Sequence, residues 1–370
     1  MINRKKGLEM LAKSIKDGAI FSLAEKPKIN VVSTGIATLD SALGVGGFVR
    51  GSQNILWGTP SSGKSALCYT AIGNLMKKDP EARACIFDIE RSVTEDWLVK
   101  FGVDPERVMI VEEPTIEENV NTFQKVMRSC CFDFVVVDSL GAVIRATAFD
   151  GKNGDGGDAN KTLVAGSSGV ITQWVNKANS EFIVLDKMEA AGEEVIKPVL
   201  IFINQVRDNF NSMYGGHSMP GGHALQHMAN VIIKITASGA AADKIQGTVN
   251  GEKQIVGTRV NCKIEKNKYA PKERMAGYNF CFEDCQEHSF GIDSVAACFD
   301  LAVKYGVIES RGAWCFYKTE GEKGFVKANG KTQMLSLLRE NPEFYETVYT
   351  ETMSEISSEN KQLNKELNGN

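Results

Sequence analysis

The 370-residue chain has no run of about 18 uncharged apolar residues, so no membrane-spanning helix and no membrane partner is expected. It has no surplus of basic charge: 42 Lys and Arg stand against 46 Asp and Glu, a net charge of −4. That excludes a global nucleic-acid-binding signature and confines any such site to a local patch. Its nine cysteines form no even set and are scattered through apolar segments. They suit reduced thiols better than a disulfide framework. The basic start (Met1, Ile2, Asn3, Arg4, Lys5, Lys6) is followed by no apolar stretch, so no secretory leader and a cytoplasmic location are expected. No internal repeat is visible. What remains is ordinary for a globular protein, with 43% hydrophobic and 24% charged residues. The length suggests two or three domains.

Three stretches differ in character. Residues 1–30 carry seven Lys or Arg against three Asp or Glu, with Leu8, Leu11 and Ile15 at helical spacing. They read as an amphipathic arm, or as a helix packed on its own core. From 31 to 287, short apolar runs alternate with helical patterns. The runs are Ile55-Leu56-Trp57, Ala84 to Ile89, Val108 to Val111, Phe134 to Asp138 and Val199 to Ile203. Runs that are apolar at consecutive positions predict strands covered on both faces, hence a parallel α/β sheet. After residue 230, Val231 to Ile235, Arg259 to Ile264 and Tyr278 to Phe282 follow one another without full helices. Asn250-Gly251 is a hairpin pair, so an antiparallel extension of the sheet is expected there. Residues 288–346 read as a small α-rich domain, and 347–370 as a mobile tail with no sustained apolar pattern. Two glycine-rich loops, Phe149 to Lys161 and Arg207 to Gly222, are of a length that usually serves function.

The chemistry concentrates at strand ends. Gly58-Thr59-Pro60-Ser61-Ser62-Gly63-Lys64-Ser65 fits G-x-x-x-x-G-K-[ST], preceded by a strand pattern and followed by a helical one. Backbone N–H groups of such a loop wrap phosphates, and a helix N-terminus adds positive partial charge. Lys64 is expected on the β and γ phosphates and the Ser65 hydroxyl on Mg²⁺. Asp138, ending an apolar strand 74 positions after Lys64, has the Walker B pattern for the same metal. Glu90, ending another strand, is placed either to orient an attacking water or simply to meet solvent. Gln205 closes the strand Val199 to Ile203, where an amide can sense a γ-phosphate. Cys281, Cys285 and His288 have irregular spacing and no second cysteine pair, so zinc is not expected.

In this order the motifs resemble the RecA family of DNA recombinases. The likeness includes Val32 to Gly44 ahead of the phosphate loop, Phe87-Asp88-Ile89-Glu90, Phe202 to Arg207 and Gly221-Gly222-His223-Ala224-Leu225. It continues through Lys266-Asn267-Lys268, Gly312-Ala313-Trp314 and Tyr317-Lys318. The resemblance implies an α/β fold: a P-loop RecA-like ATPase core with a mostly parallel sheet and an antiparallel extension. An N-terminal helix-strand arm for oligomerisation and a small α-rich C-terminal domain would flank it. It implies ATP and Mg²⁺ as cofactors, bound between subunits of a helical filament on single-stranded DNA that pairs with a homologous duplex. A single-strand-binding protein or a loader would be further partners. Gly58, Gly63, Lys64 and Ser65 would hold phosphates and metal, Glu90 would activate water, and Asp138 would support Mg²⁺. Gln205 would couple the γ-phosphate to the second loop, and Lys266 and Lys268 would act across the subunit interface. Trp97 falls where an aromatic meets adenine, and can equally pack within its own helix. In the second loop Arg207 would meet phosphate, Phe210, Met213 and Tyr214 would stack between bases, and Gly221 and Gly222 would close the loop.

The departures from the family pattern bear on DNA. Gly166 and Gln173 stand in the neighbourhood of expected arginines, the first loop is net acidic, and His227 replaces an aromatic. Residues 185–198 read as a polar insertion. A local positive patch survives at 259–274, with six Lys or Arg against two Asp or Glu. Two other readings stand beside the recombinase. One is a hexameric helicase with the same core, disfavoured by Lys266, Lys268 and the Gly312-Ala313-Trp314 block. The other is a nucleotide-switched scaffold that binds DNA without exchanging strands.

Overall fold

The computed structural model describes residues 29–140, 159–208, 217–218 and 222–368. Residues 1–28, most of the first loop, and Phe210, Met213, Tyr214 and Gly221 therefore lie outside the described residues. In chain order the elements are β1 (Val31–Val32), α1 (Ala37–Leu43), β2 (Phe48–Val49), β3 (Ser52–Gly58), α2 (Lys64–Lys78), β4 (Ala84–Asp88), α3 (Glu95–Lys100), β5 (Val108–Val111), α4 (Ile116–Arg128) and β6 (Phe134–Asp138). Then come α5 (Ala159–Ala190), β7 (Val199–Gln205), β8 (Arg207–Asp208), β9 (His217–Ser218), α6 (Gly222–Met228), β10 (Val231–Ala237), β11 (Lys244–Val249), β12 (Glu252–Asn267), β13 (Met275–Cys281) and β14 (Gly291–Ile292). The last are α7 (Ser294–Lys304), β15 (Ile308–Arg311), β16 (Trp314–Tyr317), β17 (Val326–Asn329), α8 (Gly330–Glu340) and α9 (Pro342–Asn368).

One ten-stranded sheet organises the core in the order β14-β13-β12-β10-β3-β7-β6-β4-β5, with β11 paired to β12. The six strands from β10 to β5 run parallel, and β11 to β14 extend the sheet antiparallel. All five expected parallel runs are strands. Four of them, β3, β4, β6 and β7, are buried almost throughout, because helices cover both faces. β5 is the edge strand, and it leaves Met109 and Ile110 exposed. Asn250 and Gly251 both take positive φ (52° and 86°) in the two-residue turn between β11 and β12, as a type I′ hairpin requires.

Two apolar layers sandwich the sheet. One gathers Leu39 and Leu43 of α1, and Leu67 and Ile72 of α2, against Leu56, Ile86 and Val136. The other sets Phe123 of α4 and Trp174 of α5 against Phe87 and Phe202, with ring centroids 5.9–6.1 Å apart. α4 begins at Thr115, whose hydroxyl accepts from Glu118 N–H at 3.3 Å, and its charges complement the helix dipole at both ends. Arg128 and Gln124 of α4 both bond Glu181 of α5, which is buried.

Residues 294–368 have their own core. This lobe is helix-rich but built around an antiparallel sheet, β15-β16-β17, whose first turn is Gly312-Ala313. The segment expected to be a mobile tail continues α9 as far as Asn368. Val348, Thr352 and Ile356, spaced four apart, are buried. Three contact positions, one of them a threonine, are too sparse to register as an apolar pattern. α9 ties the lobe to the core. Tyr349 Oη donates to Asp40 Oδ2 at 2.6 Å, and Lys78 at the end of α2 pairs with Glu346 at 2.8 Å. Among the described residues no helix is long and apolar enough to cross a membrane.

Candidate functional site

Parallel strands deliver their C-terminal ends to one edge of the sheet, where ligand crevices form in α/β folds. Here β3 ends in Gly58, β4 in Asp88, β6 in Asp138 and β7 in Gln205. The registers align them, Gly58 opposite Gln205 and Asp88 opposite Asp138.

The loop from Gly58 to Ser65 joins β3 to α2. Gly58 has no room for a side chain: a Cβ there would sit 2.1 Å from the Ile235 carbonyl oxygen of β10. Gly63 takes φ +92° just before α2, a left-handed conformation suited to glycine, with open space around it. Thr59, Pro60 and Ser61 are exposed, whereas Ser62 and Lys64 are buried. The Lys64 ammonium folds back onto its own loop, donating to the carbonyls of Thr59 (2.7 Å) and Gly58 (3.2 Å). Burial lowers its pKa, opposed by the charges of Asp138 and Glu90. The loop therefore presents a cation and a helix N-terminus, which fits a polyphosphate.

The Ser65 hydroxyl donates to Asp138 Oδ2 at 2.5 Å. Burial pushes the Asp138 carboxyl up to about 6, and the Ser65 bond opposes this. The neighbouring Glu90 and Asp88 add to the rise, while Lys64 offsets it. A carboxylate and a hydroxyl side by side, with two more carboxylates near, form an oxygen-rich donor set that fits a hard divalent cation such as Mg²⁺.

Glu90 follows β4 on a short turn. Asp88 holds that turn: its carboxylate accepts from Ser92 N–H at 3.1 Å and Val93 N–H at 2.8 Å. Ile89 N–H donates to the Asp138 carbonyl at 2.8 Å. Glu90 Oε1 accepts from Gln205 Nε2 at 2.5 Å and also from the Ser139 hydroxyl. Sequence reasoning named Glu90 and Gln205 but missed Asp88 and Ser139 as partners. Asp88 stood in a quoted motif and Ser139 followed the Walker B aspartate, yet neither spacing reveals a bond across strands.

The remaining candidates are placed elsewhere. Trp97 of α3 packs its ring against Phe101 and Phe290, each at 5.3 Å. Lys100 lies over it at 5.9 Å. Lys266 lies near the end of β12 and donates to the carbonyls of Gln226 and, at 2.9 Å, of His227. Those carbonyls belong to the last turn of α6, so within the protomer Lys266 caps that helix. Lys268 is exposed just beyond β12. Arg207 opens β8, which pairs with β9, and Gly222 opens α6.

Comparison with known proteins agrees with this architecture. A family model described as the RecA N-terminal domain matches residues 3–286. Protein RecA of Thermus aquaticus is 31% identical over 353 residues, covering 94% of this chain and 93% of the relative. Protein RecA of Chlorobaculum tepidum is 29% identical over 345 residues, covering 92% and 89%. With the match spanning core and C-terminal lobe alike, the chain belongs to the RecA family.

Proposed function

We propose that the protein is a DNA-dependent ATPase and homologous recombinase that assembles as an ATP-bound filament on single-stranded DNA. The observation that carries this is the convergence of Lys64, Ser65, Glu90, Asp138 and Gln205 on one edge of the sheet. In this reading Gly58 to Ser65 hold the phosphates, and Ser65 and Asp138 hold Mg²⁺. Glu90 takes the proton of the attacking water. Gln205 is both a partner of Glu90 and the last residue of β7, directly before the second loop. A change at the γ-phosphate thereby reaches the DNA-binding segment. Arg207, Phe210, Met213, Tyr214, Gly221 and Gly222 make up that segment. Trp97 with its aromatic neighbours borders the adenine, and Lys266 and Lys268 complete the site from the adjacent subunit.

The domain roles follow. Residues 1–30 link subunits, 31–287 bind nucleotide and DNA, and 288–346 with the following helix form an accessory lobe. The homologous duplex is the second DNA partner, a single-strand-binding protein or loader assists, and the cytoplasm is the setting. The test is strand exchange between a circular single strand and a homologous linear duplex, with ATP and Mg²⁺. Joint molecules and nicked product are expected, with filaments by electron microscopy. DNA-stimulated hydrolysis without joint molecules would instead identify a scaffold, and rings would identify a helicase.

A further inference from the structure

Both hydrogen bonds to the Glu90 carboxylate fall on one oxygen, Oε1. The two donors differ. Gln205 is half-buried at the mouth of the second loop, on a long amide side chain. Ser139 is fully buried and directly follows β6, a strand buried at every position. Its short side chain has one rotatable bond to the hydroxyl. A terminal carboxylate torsion is broad and two-fold, so an unrestrained Glu90 would present either oxygen at many angles. A base must aim one lone pair at the water it deprotonates, within hydrogen-bond reach.

We propose that Ser139 is a positioning residue for hydrolysis: its hydroxyl pins Oε1 of Glu90 so that Oε2 faces the attacking water. This rests on the reading of Glu90 as the base. The proton balance is simple. The water oxygen bonds to the γ-phosphorus as the bridging P–O bond to ADP breaks, with its electron pair leaving on ADP. The water proton passes to Oε2 of Glu90 and then to the phosphate product. Ser139 gives up no proton and only donates a hydrogen bond throughout. Gln205 is the exchangeable donor: when its amide turns toward the γ-phosphate, Ser139 alone keeps the base oriented. One fixed and one mobile donor on the same oxygen allow γ-phosphate sensing without releasing the base.

The test compares Ser139→Ala, Ser139→Val and Ser139→Thr in the full chain, with Glu90→Gln as control. Phosphate release is measured at saturating single-stranded DNA, and nucleotide affinity by a fluorescent ATP analogue. Misplacing a catalytic group by about 1 Å can cost on the order of 100-fold. Ser139→Ala and Ser139→Val are therefore expected to lower kcat by roughly 10- to 100-fold, with nucleotide affinity unchanged within about twofold. Ser139→Thr, of the same bulk as valine but with the hydroxyl kept, should retain activity within about threefold. Equal rates for Ser139→Val and Ser139→Thr would overturn the inference, as would affinity falling in parallel with kcat. If Glu90→Gln is inactive while Ser139→Ala turns over normally, this inference alone fails. If Glu90→Gln turns over normally, the assignment of the base itself fails.

Discussion

Replacing Tyr349 by Phe removes one hydroxyl and keeps the ring. That hydroxyl donates to Asp40, which is fully buried and receives two further bonds, from Ser33 Oγ at 2.6 Å and Thr34 N–H at 2.9 Å. Burial pushes the Asp40 carboxyl up from 3.8 to about 6, against the lowering effect of its donors Ser33, Tyr349 and Thr34. A raised carboxyl stabilises the fold fully below 3.8, and that contribution is lost as pH rises through about 6. Without the Tyr349 donor the carboxyl is pushed higher still, so the loss extends further toward neutral pH. Above the Asp40 pKa the missing bond is one to a charged group, about 2 kcal/mol. Below it the missing bond is neutral, about 1 kcal/mol. Tyr349→Phe should therefore cost about 2 kcal/mol at pH 8 and about 1 kcal/mol at pH 5. Lys78 lies 5.4 Å from the centre of the ring, which Phe retains, so little else changes. Urea unfolding at the two pH values measures both numbers. A loss under about 0.5 kcal/mol at pH 8, or a larger loss at pH 5, would refute the assignment of this bond as the tie between lobe and core.

Lys64→Ala should abolish ATP turnover while leaving far-UV circular dichroism unchanged, since it removes the charge-assisted phosphate contact; normal hydrolysis would remove the phosphate-loop assignment. Lys64→Ala protein and Lys266→Ala/Lys268→Ala protein, each inactive alone, should partly restore hydrolysis when mixed. Failure despite confirmed co-assembly would argue that Lys266 acts only within its own protomer, on the end of α6. Replacing Phe210 and Tyr214 together by Ala should weaken binding to poly-dT by about 2–4 kcal/mol with little change in salt slope. Arg207→Ala should lower that slope by about one per contact. Fluorescence anisotropy across salt concentrations separates the two, and unchanged affinity in the aromatic variant would mean that those rings pack on protein.

What the sequence disclosed follows a physical divide. β3, β4, β6 and β7 were legible because strands covered on both faces leave uninterrupted apolar runs, and the phosphate loop because backbone geometry demands its glycines. Asn250-Gly251 declared its hairpin by the same logic of φ. Partners contributed from far along the chain were not legible. Tyr349 meets Asp40 across 309 positions and Ser139 meets Glu90 across 49, and neither leaves a local trace. The strands β15 to β17 escaped because the run Trp314 to Tyr317 is exposed on one side and only four residues long. Lys266 was picked out by likeness, but its bond to the carbonyls ending α6 depends on where β12 happens to pass that helix.

The helix α2 begins at Lys64, on the phosphate loop, and ends at Lys78, bound to Glu346 of α9. Its 15 residues make a rod about 22 Å long. A helix resists stretching far more than it resists being tilted or turned. Any adjustment of the loop at one end is therefore delivered to α9 as motion of the whole rod, not absorbed along it. The C-terminal lobe sits at the far end of a lever whose near end grips the phosphates, and a substitution anywhere along that shaft answers to two loads at once.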